Sequence, residues 1–206
     1  MKNFILAALA ALSLSGGAHA EEMKMDAVVE VGKPAPEFMA NDINGDHVML
    51  SALKGQTVVL EWTNHECPYV QKHYGSGNMQ KLQKEATDDG VVWISIVSSA
   101  KDKEGYTSPE EAKTIMEQQA ALPTHKILDV DGTIGHLFGA KTTPNMFVID
   151  KDGILVYSGA IDDNNSFKPE TIEGAKNYVR EALASLKAGK PVEISSTQPY
   201  GCGVKY

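Results

Sequence analysis

Two apolar runs, "TVVLEWT" (57–63) and "VVWISIV" (91–97), constrain this chain more than any other feature. Both are rich in β-branched residues and read as buried strands. A third run, "NMFVID" (145–150), meets "ILVYSGAI" (154–161) across "KDG", the pattern of a hairpin. Helical patterns fall between them. Residues 68–86 place Val70, Met79, Leu82 and Ala86 inward, with a break expected at Gly75 and Gly77. "SPEEAKTIMEQQAA" (108–121) opens with Ser108 as cap, Pro109 in the first turn and Glu111 to complete a capping box. "HKILDVDG" (125–132) is a short strand and turn, and "TIGHLFG" (133–139) a short helical turn. "PETIEGAKNYVREALASLKAG" (169–189) reads as one long amphipathic helix. Before all of these, "NDINGDHVML" (41–50) holds an Asn-Gly turn between two apolar stretches, a second hairpin. Strands that alternate with helices and end in a hairpin imply an α/β chain whose mixed sheet is covered on both faces.

The two ends read differently from this body. "MKNFILAALAALSLSGGAHA" has Lys2, an apolar run from Phe4 to Leu14 and a terminal Ala-His-Ala. That is the layout of a secretory signal peptide cleaved after Ala20, and the run is too short to span a membrane. The reading predicts a periplasmic or secreted protein with no membrane insertion after cleavage. Residues 21–189 then form one domain, opening on an acidic lead-in and the proline-rich "GKPAPEF" (32–38), and residues 190–206 form an extended tail.

The formal charge of −8 becomes −9 once Lys2 is removed, and Arg180 is the only arginine. Such a chain is unsuited to nucleic acid and to anionic membrane surfaces.

The chain has two cysteines, Cys67 in "EWTNHECPYVQKHY" and Cys202 in "PYGCGVKY". In an oxidising compartment they can form one bridge. Cys67 sits where a strand runs into a helix. The N–H groups of a helix start favour an anion, and the thiolate is the nucleophilic form. Pro68 suits the first helical position. His65 or His73, if protonated nearby, would favour the thiolate further; otherwise both are solvated surface residues. Glu66 works the other way. Pro144, just ahead of an apolar strand, belongs at that strand's start.

"GKPAPEF", a strand running into "NHECPYV", "TTPNMFVIDKDG" and a closing helix together resemble the redoxin branch of the thioredoxin fold. This is the alkyl hydroperoxide reductase/thiol-specific antioxidant family, and the likeness covers roughly residues 30–190. "EWTNHECPYVQKHY" with the terminal "PYGCGVKY" is similar to an exported, peroxiredoxin-like subgroup. The resemblance implies a thioredoxin-like fold with an N-terminal hairpin and a C-terminal tail. It implies a thiol oxidoreductase with Cys67 as nucleophile. "CPYV" puts Val70 where thioredoxins carry their second cysteine, so the resolving thiol must come from elsewhere, and Cys202 is the candidate. The family's cis-proline maps to Pro144, with Thr143 lending its backbone to a bound thiol or disulfide. Asn64 stands where peroxiredoxins carry Thr or Ser, and Arg180 matches no peroxiredoxin arginine. The implied substrate is a peroxide or a protein disulfide, the partner a thiol electron donor, protein or small molecule, and neither cofactor nor metal is required.

Two other readings stand beside this one. The Cys67–Cys202 pair could be a permanent staple in a thioredoxin-fold binding protein. Alternatively, Cys67 with His65 or His73 could bind copper or zinc, although the Cys-x₃-Cys spacing of thioredoxin-fold copper chaperones is absent.

Overall fold

The apolar runs assemble into one sheet. The computed structural model describes residues 29–206; the expected signal peptide, its cleavage point and the start of the acidic lead-in lie outside the described residues. In chain order the elements are β1 (Met39–Asn41), β2 (His47–Met49), β3 (Val58–Trp62), α1 (Pro68–Gly75), α2 (Asn78–Asp88), β4 (Val92–Val97) and α3 (Pro109–Gln118). They continue with β5 (His125–Leu128), α4 (Thr133–Phe138), β6 (Thr142–Thr143), β7 (Asn145–Ile149), β8 (Leu155–Gly159), α5 (Tyr178–Lys187) and β9 (Cys202–Gly203). The main sheet has the order β5-β4-β3-β7-β8. β3, β4 and β5 run parallel, while β7 and β8 are antiparallel to their neighbours, so the sheet is mixed.

The strand period of two divides the core. Val58, Leu60, Trp62, Ile94, Ile96, Phe147 and Ile149 face one side, where Phe38, Val48, Ile134 and Phe138 cover them. Val59, Trp93, Met146 and Val148 face the other, under α1, α2 and α5. The four inward positions expected on 68–86 are all buried there. The expected break separates α1 from α2, with Gly77 at φ +76 as the cap between them. Ser108 and Glu111 form both halves of the capping box on α3. β1 and β2 form the N-terminal hairpin.

The closing helix is a correction. The pattern predicts one helix over 169–189, yet α5 begins only at Tyr178 and Pro169–Thr171 is a single 3-10 turn. Gly174 at φ +80 leaves the helical region, and the Asn177 side chain accepts from the Arg180 N–H to start α5 afresh. A strong local cap has overridden the apolar periodicity.

The tail is extended, as expected, and is tied down along its length. Thr197 N–H donates to Ser158 O beside β8, β9 pairs antiparallel with β6, and Ala100 N–H donates to Lys205 O. The tail therefore crosses the end of the sheet from the β8 edge to the segment that follows β4.

Candidate active site

Cys67 is the N-cap of α1, with extended backbone (φ −73, ψ 123), and Pro68 takes the first helical turn. β3 ends at Trp62, so a fully buried strand delivers Cys67 to the helix start within five residues. The cysteine side chain is completely buried. Its Sγ lies 3.1 Å from the Thr143 carbonyl, to which the thiol donates. The Thr143–Pro144 peptide is cis. β6 pairs Thr143 with Cys202 and Thr142 with Gly203. The structure therefore brings Cys67, Thr143, Pro144 and Cys202 together, and both cysteines are free thiols.

The electrostatics separate the two sulfurs. The Cys202 thiol is pushed up to about 12, by burial first, then by its hydrogen bond and its electrostatic interaction with Cys67.

Asn64 is buried beside this group but engaged elsewhere. Its Oδ1 accepts from Glu66 N–H at 2.9 Å, and its Nδ2 lies 3.4 Å from both the main-chain and side-chain oxygens of Glu104. Glu66 accepts from Gly105 N–H at 2.9 Å, so the turn before Cys67 is clasped by the loop around 104–105. A Cβ at Gly105 would run into the Asn64 amide, and its φ of +81 also favours glycine. Arg180 pairs with Glu85 at 3.0 Å, joining α5 to α2.

His73 departs from both expectations for it. It is not on the surface but fully buried, and burial followed by the neighbouring Lys72 charge lowers its pKa to about 3. It is neutral at working pH and brings no positive charge to the thiolate. Among the described residues, no three His, Cys, Asp or Glu side chains converge as a metal-binding group.

Two buried polar groups were not singled out from sequence. Glu61, at the centre of β3, is entirely buried, and its carboxylate accepts from Tyr74 Oη, Trp93 Nε1 and Ser95 Oγ at 2.8 Å each and from Gln83 Nε2 at 3.1 Å. A lone acid in "VVLEW" was the available signal, because a buried carboxylate requires donors. The second group gathers Lys72, Asp162 and the tail residue Tyr200, none of them singled out, around His73. An aromatic two places before a cysteine was the available sign of it. Thr143 Oγ1 is buried without a hydrogen-bond partner.

The AhpC/TSA family pattern matches residues 31–158, a span containing Cys67, Thr143 and Pro144. The chain belongs to the AhpC/TSA family. Asp162, Tyr200 and Cys202 lie beyond the matched span. Thiol-disulfide oxidoreductase ResA of Bacillus cereus is 28% identical over 152 residues, covering 74% of this chain and 80% of ResA. The chloroplastic peroxiredoxin Q of Arabidopsis thaliana is 30% identical over 167 residues, covering 79% of this chain and 69% of that protein. Among solved structures, an uncharacterized conserved protein from Geobacillus kaustophilus matches with a TM-score of 0.74 at 27% identity, over 86% of this chain and 92% of that one. The AhpC/TSA chain described here has the thioredoxin-like fold, extended by its N-terminal hairpin and its tail.

Proposed function

We propose that this protein is an exported thiol oxidoreductase of the redoxin type, in which Cys67 attacks a disulfide substrate and Cys202 resolves the product. The observation that carries the reading is the β6–β9 pairing. It sets Cys202 opposite Thr143, whose carbonyl accepts from the Cys67 thiol. In the first step the Cys67 thiolate attacks one sulfur of the substrate, forming a mixed disulfide and releasing the other sulfur as a thiolate. Cys202 then gives up its proton and attacks the Cys67 sulfur. The Cys67–Cys202 disulfide forms, the second substrate thiolate leaves with that proton, and the substrate has gained two electrons. A thiol donor later returns the pair.

The charge coupling suits this order. While Cys67 is a thiolate it holds Cys202 protonated; once Cys67 is in a mixed disulfide, that charge is gone and Cys202 deprotonates more readily. Export follows from the signal-like residues 1–20, and no helix among the described residues is long and apolar enough to cross a membrane.

A peroxide is the second reading, favoured by the unpartnered Thr143 hydroxyl beside the cysteine pair. There Cys67 becomes a sulfenic acid, and Cys202 condenses with it to the same disulfide and water. Disulfide exchange ranks first because the Asn64 amide and the Arg180 guanidinium are engaged by Glu104 and Glu85.

The test uses protein from an extracytoplasmic fraction, whose intact mass should show a chain beginning at Glu21. The Cys202→Ser variant is reacted separately with a model disulfide and with hydrogen peroxide. A long-lived mixed disulfide on Cys67, formed faster than any sulfenic acid, supports the proposal. Multiple turnovers in that variant with no external resolving thiol would remove Cys202 from the cycle.

A further inference from the structure

The chemistry above uses neither buried polar group, and one of them holds a residue of the tail. Lys72, His73 and Asp162 are 1%, 0% and 3% exposed, and all three meet Tyr200 of the tail. Asn78 Nδ2 donates to His73 Nδ1 at 2.8 Å, so the proton of the neutral imidazole sits on Nε2. That Nε2 is 3.4 Å from the Tyr200 oxygen, to which it donates. The Tyr200 hydroxyl donates in turn to Asp162 Oδ1. The phenol thus accepts one hydrogen bond and donates another. Lys72 Nζ lies 5.6 Å from the centre of the Tyr200 ring and 3.7 Å from Asp162 Oδ2, and it donates to Asn164 O at 2.9 Å. Tyr69 packs on the outer side of the ring, 5.8 Å between centroids.

These contacts form a socket, and the residue it holds is two positions from Cys202. Gly201, between them, has φ +138 and no room for a Cβ against the Thr143 carbonyl, so the step from socket to β9 is tightly fixed. Withdrawing Tyr200 leaves the His73 N–H without its acceptor and Asp162 Oδ1 with only the Asn164 N–H as donor, in a place where unpaired polar groups are unfavourable.

Cys67 is completely buried with the tail in place and Cys202 is paired beside it, so lifting the 200–203 segment from β6 would open a way for a substrate sulfur.

We propose that Tyr200, seated in the Lys72–His73–Asp162 socket, is a positioning residue that latches the tail: seated, it presents Cys202 to Cys67; withdrawn, it opens Cys67 to substrate. The proposal rests on the reading of Cys67 and Cys202 as nucleophile and resolving thiol. It predicts opposite effects on the two half-steps. Loosening the latch speeds access to Cys67 and weakens closure of the Cys67–Cys202 disulfide. A residue that only stabilised the fold would not divide the two in this way.

Two measurements are made on Tyr200→Phe and Tyr200→Ala. The first is the rate at which iodoacetamide alkylates Cys67 in the reduced protein. The second is the equilibrium in which the dithiol protein and oxidised glutathione give the internal disulfide and two reduced glutathiones. Its constant is the effective concentration of Cys202 at Cys67. Tyr200→Phe, which keeps the ring and so the packing, should lower that concentration by about tenfold and raise the alkylation rate by a similar factor. Tyr200→Ala should do more of both. Unchanged values in both variants, or both values falling together, would overturn the latch. Absence of any Cys67–Cys202 disulfide in the wild-type protein would instead overturn the underlying assignment of the two thiols, so the two failures are distinguishable.

Discussion

At position 73 a histidine has lost its ordinary titration range. Burial, then the Lys72 charge, lowers its pKa from 6.5 to about 3. Between those values the unfolded chain binds a proton that the native protein refuses, so stability rises with pH across the window and is lost as pH falls from about 6.5 toward 3. At about pH 4.5 the loss from this one group is on the order of 2 kcal/mol. Urea denaturation of wild type and His73→Gln at about pH 7 and pH 4.5 checks it: the wild type should lose more than the variant, and equal losses would mean that Asp162, 3.9 Å away, compensates the new charge. Residue by residue, the sequence was legible where chemistry is local. Cys67 before Pro68 and Ser108 with Glu111 occupy the roles their neighbours imply. His73 was not legible, because its burial is made by Asp162 and Tyr200, the latter 127 positions away. Glu61 was half legible: the acid announces a need for donors, but Tyr74, Gln83, Trp93 and Ser95 come from three different elements.

Elements were readable to the extent that their own periodicity decided them. β3, β4 and β7 are fully buried along their length, and the apolar runs that encode them have no competing solution. The 169–189 segment shows the limit, since Gly174 and Asn177 break a periodicity that continues past them. β6 and β9 are two residues each, too short for any pattern, and neither was foreseen as a strand. Yet their pairing sets the site, and Gly201 is its weak point. Gly201→Ala places a methyl group against the Thr143 carbonyl at a φ that alanine adopts poorly, a strain of roughly 1–3 kcal/mol. The core lies elsewhere, so the midpoint of global unfolding should move little. Formation of the Cys67–Cys202 disulfide after a peroxide or disulfide pulse should slow by about tenfold or more. Disulfide formation at the wild-type rate would show that β9 need not pair with β6 to deliver Cys202.

For the whole molecule, a mixed sheet covered on both faces was legible from the alternation of strand and helix, and the family resemblance agreed with it. What neither supplied is the path of the tail. Thr197 bonds at the β8 edge, Tyr200 in the socket, Cys202 on β6 and Lys205 beside Ala100. These attachments join segments far apart in sequence, and the tail's apolar residues Tyr200, Cys202 and Val204 only flank the two hydrophobic clusters from outside, partly buried. They should open as one cooperative unit while the sheet stays intact. In native-state hydrogen exchange, the amides of Thr197, Val204 and Ala100, which donate to Ser158, Lys141 and Lys205, should share one opening free energy. That value should lie well below the value for β3 and β4, and it should rise when the internal disulfide is closed. Separate exchange energies for the three amides would mean that the tail peels away piecemeal. A single shared one would make the strap a foldon, whose opening frequency sets an upper limit on how often a substrate can meet the buried thiol.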